Sequence, residues 1–402
     1  MEILKLLFII ILIAILMWRK VDLGLSLMIG SIFMGALYGM NANTIAQSAL
    51  TAVIEPNTIE LIFAVFLIIM LGKIMLASGN LEVMVDSLEC LIRDRRIAMV
   101  IPPALIGLLP APGGAMLSAP MVDESAKKLS ITAEQKTYLN FWFRHLWEYC
   151  WPLYPGLIIA AAVLKVPLTA LIKVQFPLAF AAILAGVIFG LLPIKTVKNR
   201  RIKGNNNFLT TLWRFIRCIW PIWLILIGLM LFRLPILIIL STIIIIMLIS
   251  LKVDWRTKLK IVIKSISWRI ILLLLSVMIF KHIVMDSSAV ESIPTLLHAS
   301  GVSPIIPAFA IPFLLGILTG VNQAYIGVSF PLLLPFFGTN EINLQLVMFA
   351  YAAGFAGVLL SPVHLCLLLT KEYYGAKWGG IYKLLMPSVV FVLIASLILM
   401  FI

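Results

Sequence analysis

The stretch that decides the fold reads IPPALIGLLPAPGGAMLSAP and covers residues 101–120. Its aliphatic residues suit a membrane interior, but its prolines and glycines interrupt a continuous helix there. A second stretch of this kind, IPAFAIPFLLGILTGVNQAYIGVSFP, covers residues 306–331. Lipid tolerates unpaired backbone groups only where protein or a water-filled cavity covers them. Interrupted apolar segments at corresponding places in two halves of a chain therefore predict the binding site of a secondary transporter.

Most of the chain is apolar: of 402 residues, 62% are hydrophobic and 12% are charged. Soluble domains carry about 25% charged residues, so the lipid bilayer is the predicted surrounding of this chain. The net charge of +14 would favour nucleic acid as the partner of a soluble protein. Here the basic residues fall in short loops between apolar segments, as the positive-inside rule describes, and no nucleic-acid partner is expected.

The apolar segments predict about ten transmembrane helices, because each approaches the roughly 20 residues needed to cross a bilayer. In the first half they cover residues 3–18, 21–39, 58–78, 138–164 and 171–192. In the second half they cover residues 218–232, 235–251, 268–286, 343–370 and 382–402. The interrupted segments at about 97–120 and 304–337 are predicted to be re-entrant hairpins, and the helices at 138–164 and 343–370 are predicted to be broken.

The basic residues give this topology an orientation. With the amino terminus outside, the loops on the cytoplasmic side hold 23 lysines and arginines, and those on the outer side hold five. Seven of the 23 lie in residues 195–217, which we predict to be a basic cytoplasmic linker. This bias predicts a multi-pass protein of the plasma membrane with both termini outside.

The linker separates two segments, residues 1–194 and 218–402, in which the predicted elements recur in one order. Each segment has five crossings, an odd number, so the second copy must be inverted relative to the first. The predicted fold is an all-α polytopic membrane protein with two inverted five-helix repeats, each with a re-entrant hairpin and a broken helix. This architecture is typical of alternating-access transport.

The two hairpin tips supply the first candidate binding residues. Glycine lets the backbone approach a solute closely, as Gly113 and Gly114 would in the first tip. In the second tip, Asn322 and Gln323 add amide groups for hydrogen bonding. Half-helix N-termini that meet at one point favour an anion. The alternative is that these residues only form kinks or tight helix contacts.

The broken helices supply further candidates for binding the solute. Tyr154 and Pro155 lie in the first break, and Ser361, Pro362 and His364 lie in the second. Proline frees backbone carbonyls upstream of it, and together with Ser361 such carbonyls suit Na⁺. Tyr154 is equally well explained as a packing aromatic.

A charged cluster precedes the first break, with Arg144, His145 and Glu148 at helical spacing. Ionisable residues at membrane depth face a cavity or each other. In one interpretation Arg144 is the counter-ion of a carboxylate, and His145 with Glu148 relays protons. In the other, Arg144 and Glu148 form a structural ion pair. The four cysteines have no close spacing, so we predict no disulfide framework, no zinc or other metal site, and no cofactor beyond a coupling Na⁺ or H⁺.

The block PAPGGAMLSAPMVDESAKKL, with the following TYLNFWFRHLWEYCWPLYPG, spans residues 110–156 and resembles the integral membrane family called domain of unknown function 401. The resemblance extends over nearly the whole chain. It implies the ion-transporter superfamily, which includes gluconate permeases and di- and tricarboxylate carriers. It also implies inverted five-helix repeats with hairpins and broken helices, in a homodimer. Where sodium–dicarboxylate carriers have Ser-Asn-Thr at the hairpin tips, this chain has Ala-Pro-Gly-Gly and Gly-Val-Asn-Gln.

The sequence therefore predicts a secondary active transporter of a small anionic organic solute, coupled to Na⁺ or H⁺, rather than an enzyme. One alternative is a cation/proton antiporter in which Glu148 and His145 carry protons. The other is an intramembrane enzyme or assembly factor that uses Arg144, His145 and Glu148. Transport requires both halves of the chain at the site, whereas an enzyme can rely on one.

Overall fold

The structure is a computed structural model, and it describes residues 2–80, 83–84, 87, 94–110, 114–126, 129–195, 208–287, 303–338 and 341–402. All regular elements within these residues are helices. Those before the linker are α1 (Glu2–Trp18), α2 (Leu23–Leu37), α3 (Ala42–Ile54), α4 (Pro56–Ala77), α5 (Arg95–Ile106), α6 (Ala115–Ala126), α7 (Ala133–Arg144), α8 (Pro155–Leu164) and α9 (Leu168–Ala185). A 3-10 turn (Leu146–Tyr149) follows α7, and a π-helical turn (Gly186–Leu191) extends α9.

The helices after the linker follow a similar order. They are α10 (Phe208–Cys218), α11 (Trp220–Met230), α12 (Ile236–Ser250), α13 (Trp255–Ser265), α14 (Trp268–Asp286), α15 (Ile305–Thr319), α16 (Asn322–Phe337), α17 (Leu344–Leu360), α18 (Leu365–Tyr374) and α19 (Trp378–Met400). Residues 196–207 of the predicted linker lie outside the described residues.

Five helical segments in the described part of the chain are long and apolar enough to cross a membrane. They are Pro56–Ala77, Leu168–Leu191, Trp255–Asp286, Leu344–Tyr374 and Trp378–Met400. The bent pair α10–α11, with an angle of 63° between its helices, would make a sixth. The remaining predicted crossings coincide with helices of 10–17 residues, such as Leu23–Leu37, which are shorter than the ~20 residues of a straight span. The structure thus has the helices of a membrane protein.

The two interrupted stretches each form a pair of packed helices. In the first, α5 and α6 flank a connection whose residues 111–113 lie outside the described part. In the second, α15 ends at Thr319 with Gly320 as its C-cap, and α16 begins at Asn322. Gly320 has φ +62°, a left-handed conformation that favours glycine. A Cβ there would lie 2.9 Å from the backbone nitrogen of His364, so the hairpin tip rests against the second break.

Both predicted broken helices are interrupted where their prolines lie. A capping box between Thr132 and Gln135 starts α7, which ends at Arg144. Eleven residues later, α8 starts at Pro155, where a proline's missing N–H costs no hydrogen bond. In the second half, α17 ends at Leu360, and the break contains Pro362, which cannot donate to a continuing helix.

Glycines bring the second hairpin against the second broken helix. A Cβ on Gly316 of α15 would lie 2.2 Å from the carbonyl oxygen of Gly354 in α17. A Cβ on Gly357 of α17 would lie 2.2 Å from the carbonyl oxygen of Phe313 in α15. The two backbones therefore touch with no room for a side chain, as in the small-residue contacts of membrane helices.

We predict that Gly316→Ala destabilises the protein by about 1–3 kcal/mol, the usual cost of overpacking a well-packed contact. The Cβ would meet backbone, which cannot move aside without separating α15 from α17. The measurement is the midpoint of thermal unfolding of the purified protein in detergent. The matched control is Gly379→Ala, because a Cβ on this helical glycine meets nothing within 4 Å. Equal midpoints for the two variants would contradict the proposed contact.

Candidate functional site

One cavity of about 660 Å³ lies where the interrupted segments meet. Its wall includes residues of both halves of the chain: the ends of α5 and α7, the start of α8, the tip between α15 and α16, and the second break. Residues of α4, α13 and α14 also contribute to the wall. The size suits a small molecule.

In the first half, side chains of the break satisfy the end of the hairpin helix α5. The Trp147 indole Nε1 donates to the Ala104 carbonyl at 2.7 Å, and the Tyr154 hydroxyl donates to the Gly107 carbonyl at 2.5 Å. The last carbonyls of a helix have no partner within it. The break therefore caps the hairpin.

The second half repeats this arrangement with different residue types. The Ser361 hydroxyl donates to the Ile317 carbonyl at 2.6 Å. The His364 ring donates from Nδ1 to the Gly320 carbonyl at 2.8 Å. Again the side chains of a break cap the C-terminal end of a hairpin helix, here α15.

Two hydrogen bonds to Glu148 join the halves at the cavity. The Asn322 amide donates from Nδ2 to the Glu148 carboxylate at 2.5 Å, and the Tyr351 hydroxyl donates to the Glu148 backbone carbonyl at 2.8 Å. Asn322 is 7% exposed, and its Oδ1 atom has no hydrogen-bond partner among the described residues. A buried acceptor without a partner costs about 1–3 kcal/mol, which indicates a site where a ligand or water completes the bonding.

Three helices of the interrupted segments begin at the cavity without a side-chain cap. The N-cap residues of α8, α16 and α18 are Tyr154, Val321 and His364, and none accepts a hydrogen bond from its helix. Gly156 lets α8 approach α16, since a Cβ there would lie 3.3 Å from Asn322 Cβ. Helix N-termini carry partial positive charge and exposed N–H donors, so the wall favours an anion.

The charged side chains of the described wall have a positive excess. Lys73, Arg144 and Lys264 are the basic ones, and Glu148 is the acidic one. The Arg144 guanidinium lies 4.0 Å from the Glu148 carboxylate, and both side chains are buried. The Lys73 ammonium donates to the Lys264 backbone carbonyl. A monoanion would neutralise part of this excess.

A pair of histidines from different halves completes the site. His145 Nε2 lies 3.1 Å from His364 Nε2 and 3.7 Å from a Glu148 oxygen. His145 Nδ1 lies 2.6 Å from the Phe141 carbonyl oxygen. The Cys366 thiol belongs to the same cluster, because one ligand atom each of His145, His364 and Cys366 lie within 4.8 Å of one another.

The family of the chain is shown by a match over its full length. A family model described as protein of unknown function (DUF401) matches residues 1–402. The chain belongs to the DUF401 family. Comparison with curated proteins gives no match.

The structure of this DUF401 chain brings most of the predicted site residues to one cavity. Eight line it: Arg144, His145, Glu148, Tyr154, Pro155, Asn322, Gln323 and His364. Ser361 does not line the cavity, and its hydroxyl caps the Ile317 carbonyl. Pro362 is exposed in the break. Gly114 lies just before α6 and does not contribute to the wall, and Gly113 lies outside the described residues.

Sequence reasoning missed three contributors in this DUF401 chain. Tyr351 lies in a continuous apolar helix, where nothing marks its hydroxyl as a partner of Glu148. Cys366 was considered only for close cysteine spacing, which it lacks. Lys73 is an isolated charge in an apolar span, and only this isolation could have indicated a functional role.

We predict that Asn322→Ala lowers the stability of the protein by about 1–3 kcal/mol, because it leaves the buried Glu148 carboxylate without its amide donor. The matched control is Gln323→Ala, since the described residues show no side-chain hydrogen bond for this neighbouring amide. The midpoint of thermal unfolding in detergent measures both variants. A drop of the same size in the control would show that the tip tolerates no truncation and would remove the evidence for the Glu148 bond.

Proposed function

We propose that this protein is a secondary active transporter of a small organic anion, coupled to Na⁺ or H⁺ and working by alternating access. The observation that carries the proposal is the convergence of both hairpin ends and both helix breaks on one cavity. A ligand pocket in a soluble protein does not require interrupted helices, whereas transporters use interrupted helices to build a binding site within the membrane.

The wall chemistry supports an anion as the solute. Three uncapped helix N-termini face the cavity, and each presents partial positive charge and N–H donors. Arg144 adds a guanidinium that can hold a carboxylate through two parallel hydrogen bonds. The described wall also has three basic residues and one carboxylate, and this positive excess favours an anion as well.

The order of the helices supports a repeated architecture. In each half a hairpin is followed by a broken helix and then by a long apolar helix, α9 or α19. We propose that the halves are inverted five-crossing repeats, in which short helices such as α2 and α12 also cross. Both termini then lie outside the plasma membrane, and the protein belongs to the ion-transporter superfamily and forms homodimers, as the sequence resemblance implies.

A cation/proton antiporter is the second candidate. It is favoured by the contact between His145, His364 and Glu148, which joins three titratable groups in one chain of contacts. An intramembrane enzyme or assembly factor that relies on the first half alone would leave the contribution of the second half unexplained, since Asn322 and His364 both line the cavity.

The test is uptake into proteoliposomes with an imposed Na⁺ or pH gradient, using a panel of organic acids and of inorganic cations. We expect gradient-driven uptake of at least one organic acid. Cation flux against protons without any organic acid would favour the antiporter. Absence of gradient-dependent flux across the whole panel would overturn the transporter proposal.

We predict that Arg144→Gln lowers uptake of the transported acid by about 10- to 100-fold, since a hydrogen bond to a charged group contributes about 1.5–3 kcal/mol. The matched control is Arg256→Gln, which removes one positive charge at an exposed position of α13 away from the cavity. Size-exclusion profiles establish that both variants fold. Equal uptake by both variants would exclude Arg144 as the counter-ion.

A further inference from the structure

The protonation of the two cavity histidines follows from their hydrogen bonds. Nδ1 of His145 faces the Phe141 carbonyl oxygen at 2.6 Å, and Nδ1 of His364 faces the Gly320 carbonyl oxygen at 2.8 Å. A carbonyl oxygen can only accept, so both Nδ1 atoms carry a hydrogen. In the neutral rings, both Nε2 atoms then present lone pairs.

These two lone pairs face each other, because the Nε2 atoms are 3.1 Å apart. Two acceptors at this distance repel unless a cation lies between them. The cation is either a proton on one ring or a metal ion. The surroundings of the pair distinguish the two cases.

A sulfur ligand lies beside the histidines. Cys366 is 9% exposed and His145 is 2% exposed, and the ligand atoms of both lie within 4.8 Å of each other and of His364. A shared proton would involve the two imidazoles only, whereas a metal ion would bind the neighbouring thiolate as well. Two imidazoles and a thiolate together are a ligand set that suits zinc and its d-block neighbours.

We propose that His145, His364 and Cys366 form a binding site for a divalent transition-metal ion of the zinc type, with the fourth coordination position open to the cavity. Zinc bonds of about 2.0–2.1 Å to nitrogen place two tetrahedral ligands about 3.3 Å apart, close to the separation of the histidines. The carbonyl held by each Nδ1–H is the outer-shell partner that metal-ligating histidines usually have.

The halves of the chain share this site. His145 comes from the end of α7, whereas His364 and Cys366 come from the start of α18, and the two histidines are 219 positions apart along the chain. The Glu148 carboxylate, 3.7 Å from His145 Nε2, offsets part of the positive charge that the metal would add beside Arg144. The metal site stands independently of transport, and an anionic solute in the cavity would supply the fourth ligand.

The test is a titration of the full-length protein in detergent with Co²⁺, whose absorption spectrum reports tetrahedral geometry and a thiolate ligand. We expect one Co²⁺ per chain, with ligand-field bands and a thiolate-to-metal charge-transfer band. Cys366→Ser should abolish the charge-transfer band, and His364→Ala should weaken binding at least tenfold. Cys150→Ser, a change at a buried cysteine outside the cluster, should leave the spectrum unchanged.

X-ray absorption of the zinc-loaded wild-type protein tests the site without any variant. The expected first shell contains one sulfur at about 2.3 Å and nitrogen or oxygen at about 2.0–2.1 Å. A shell without sulfur, or a Co²⁺ spectrum that Cys366→Ser leaves unchanged, would overturn the proposal. In that case the histidines share only a proton. Both measurements give their answer whether or not the protein transports a solute.

Discussion

Interrupting a helix within a membrane leaves backbone carbonyls that lipid cannot satisfy, and the centre of this protein is built from the side chains that satisfy them. Each break caps the hairpin of its own half. Trp147 and Tyr154 bond the end of α5, and Ser361 and His364 bond the end of α15. These side chains therefore both satisfy the free carbonyls and hold each break against its hairpin. The cavity lies between the two breaks and the two hairpins.

The same constraint fixes how closely the helices approach. A carbonyl can be capped by a neighbouring break only when the two segments nearly touch, and glycines permit this at Gly316 and Gly357. A buried polar network extends the contact to the other arm of the first hairpin: Asn140 of α7 donates to the Ala115 carbonyl and to Thr370 of α18. Such fully bonded networks favour one arrangement over alternatives of similar packing.

Local chemistry explains what the sequence could predict. Proline and glycine act on their own backbone, so helix interruptions within residues 97–120, 138–164, 304–337 and 343–370 were predictable, and the structure has an interruption in each of these segments. The partners across the interruptions were not predictable. Arg144 and Glu148 were expected on one helical face, but α7 ends at Arg144 and the next turn is 3-10, which directs the Glu148 carboxylate to Asn322.

The remaining contacts of the site could not be predicted, because their residues are far apart along the chain. The contact between His145 and His364 joins residues 219 positions apart, and no spacing rule covers such a pair. Tyr351 gives no local signal at all, because its helix is apolar on every side. The number of membrane crossings could not be determined from composition alone. Helices of 10–17 residues, such as α2 and α12, are apolar but fall short of the length of a straight span.

The packing of the described helices falls into two main sets, and this division matters for the transport mechanism that we propose. The hairpins and broken helices are tied together by the capping bonds and by Asn322–Glu148. The helices α2, α3, α4, α12, α13 and α14 pack mainly with one another. A motion that separated the first hairpin from the first break would expose several buried carbonyls at once, at about 1–3 kcal/mol for each unsatisfied group. A motion of the whole hairpin-and-break set against the other helices would keep these bonds, and it would break the hydrogen bonds that Asn57 of α4 and Lys281 of α14 donate to the Ala162 carbonyl of α8.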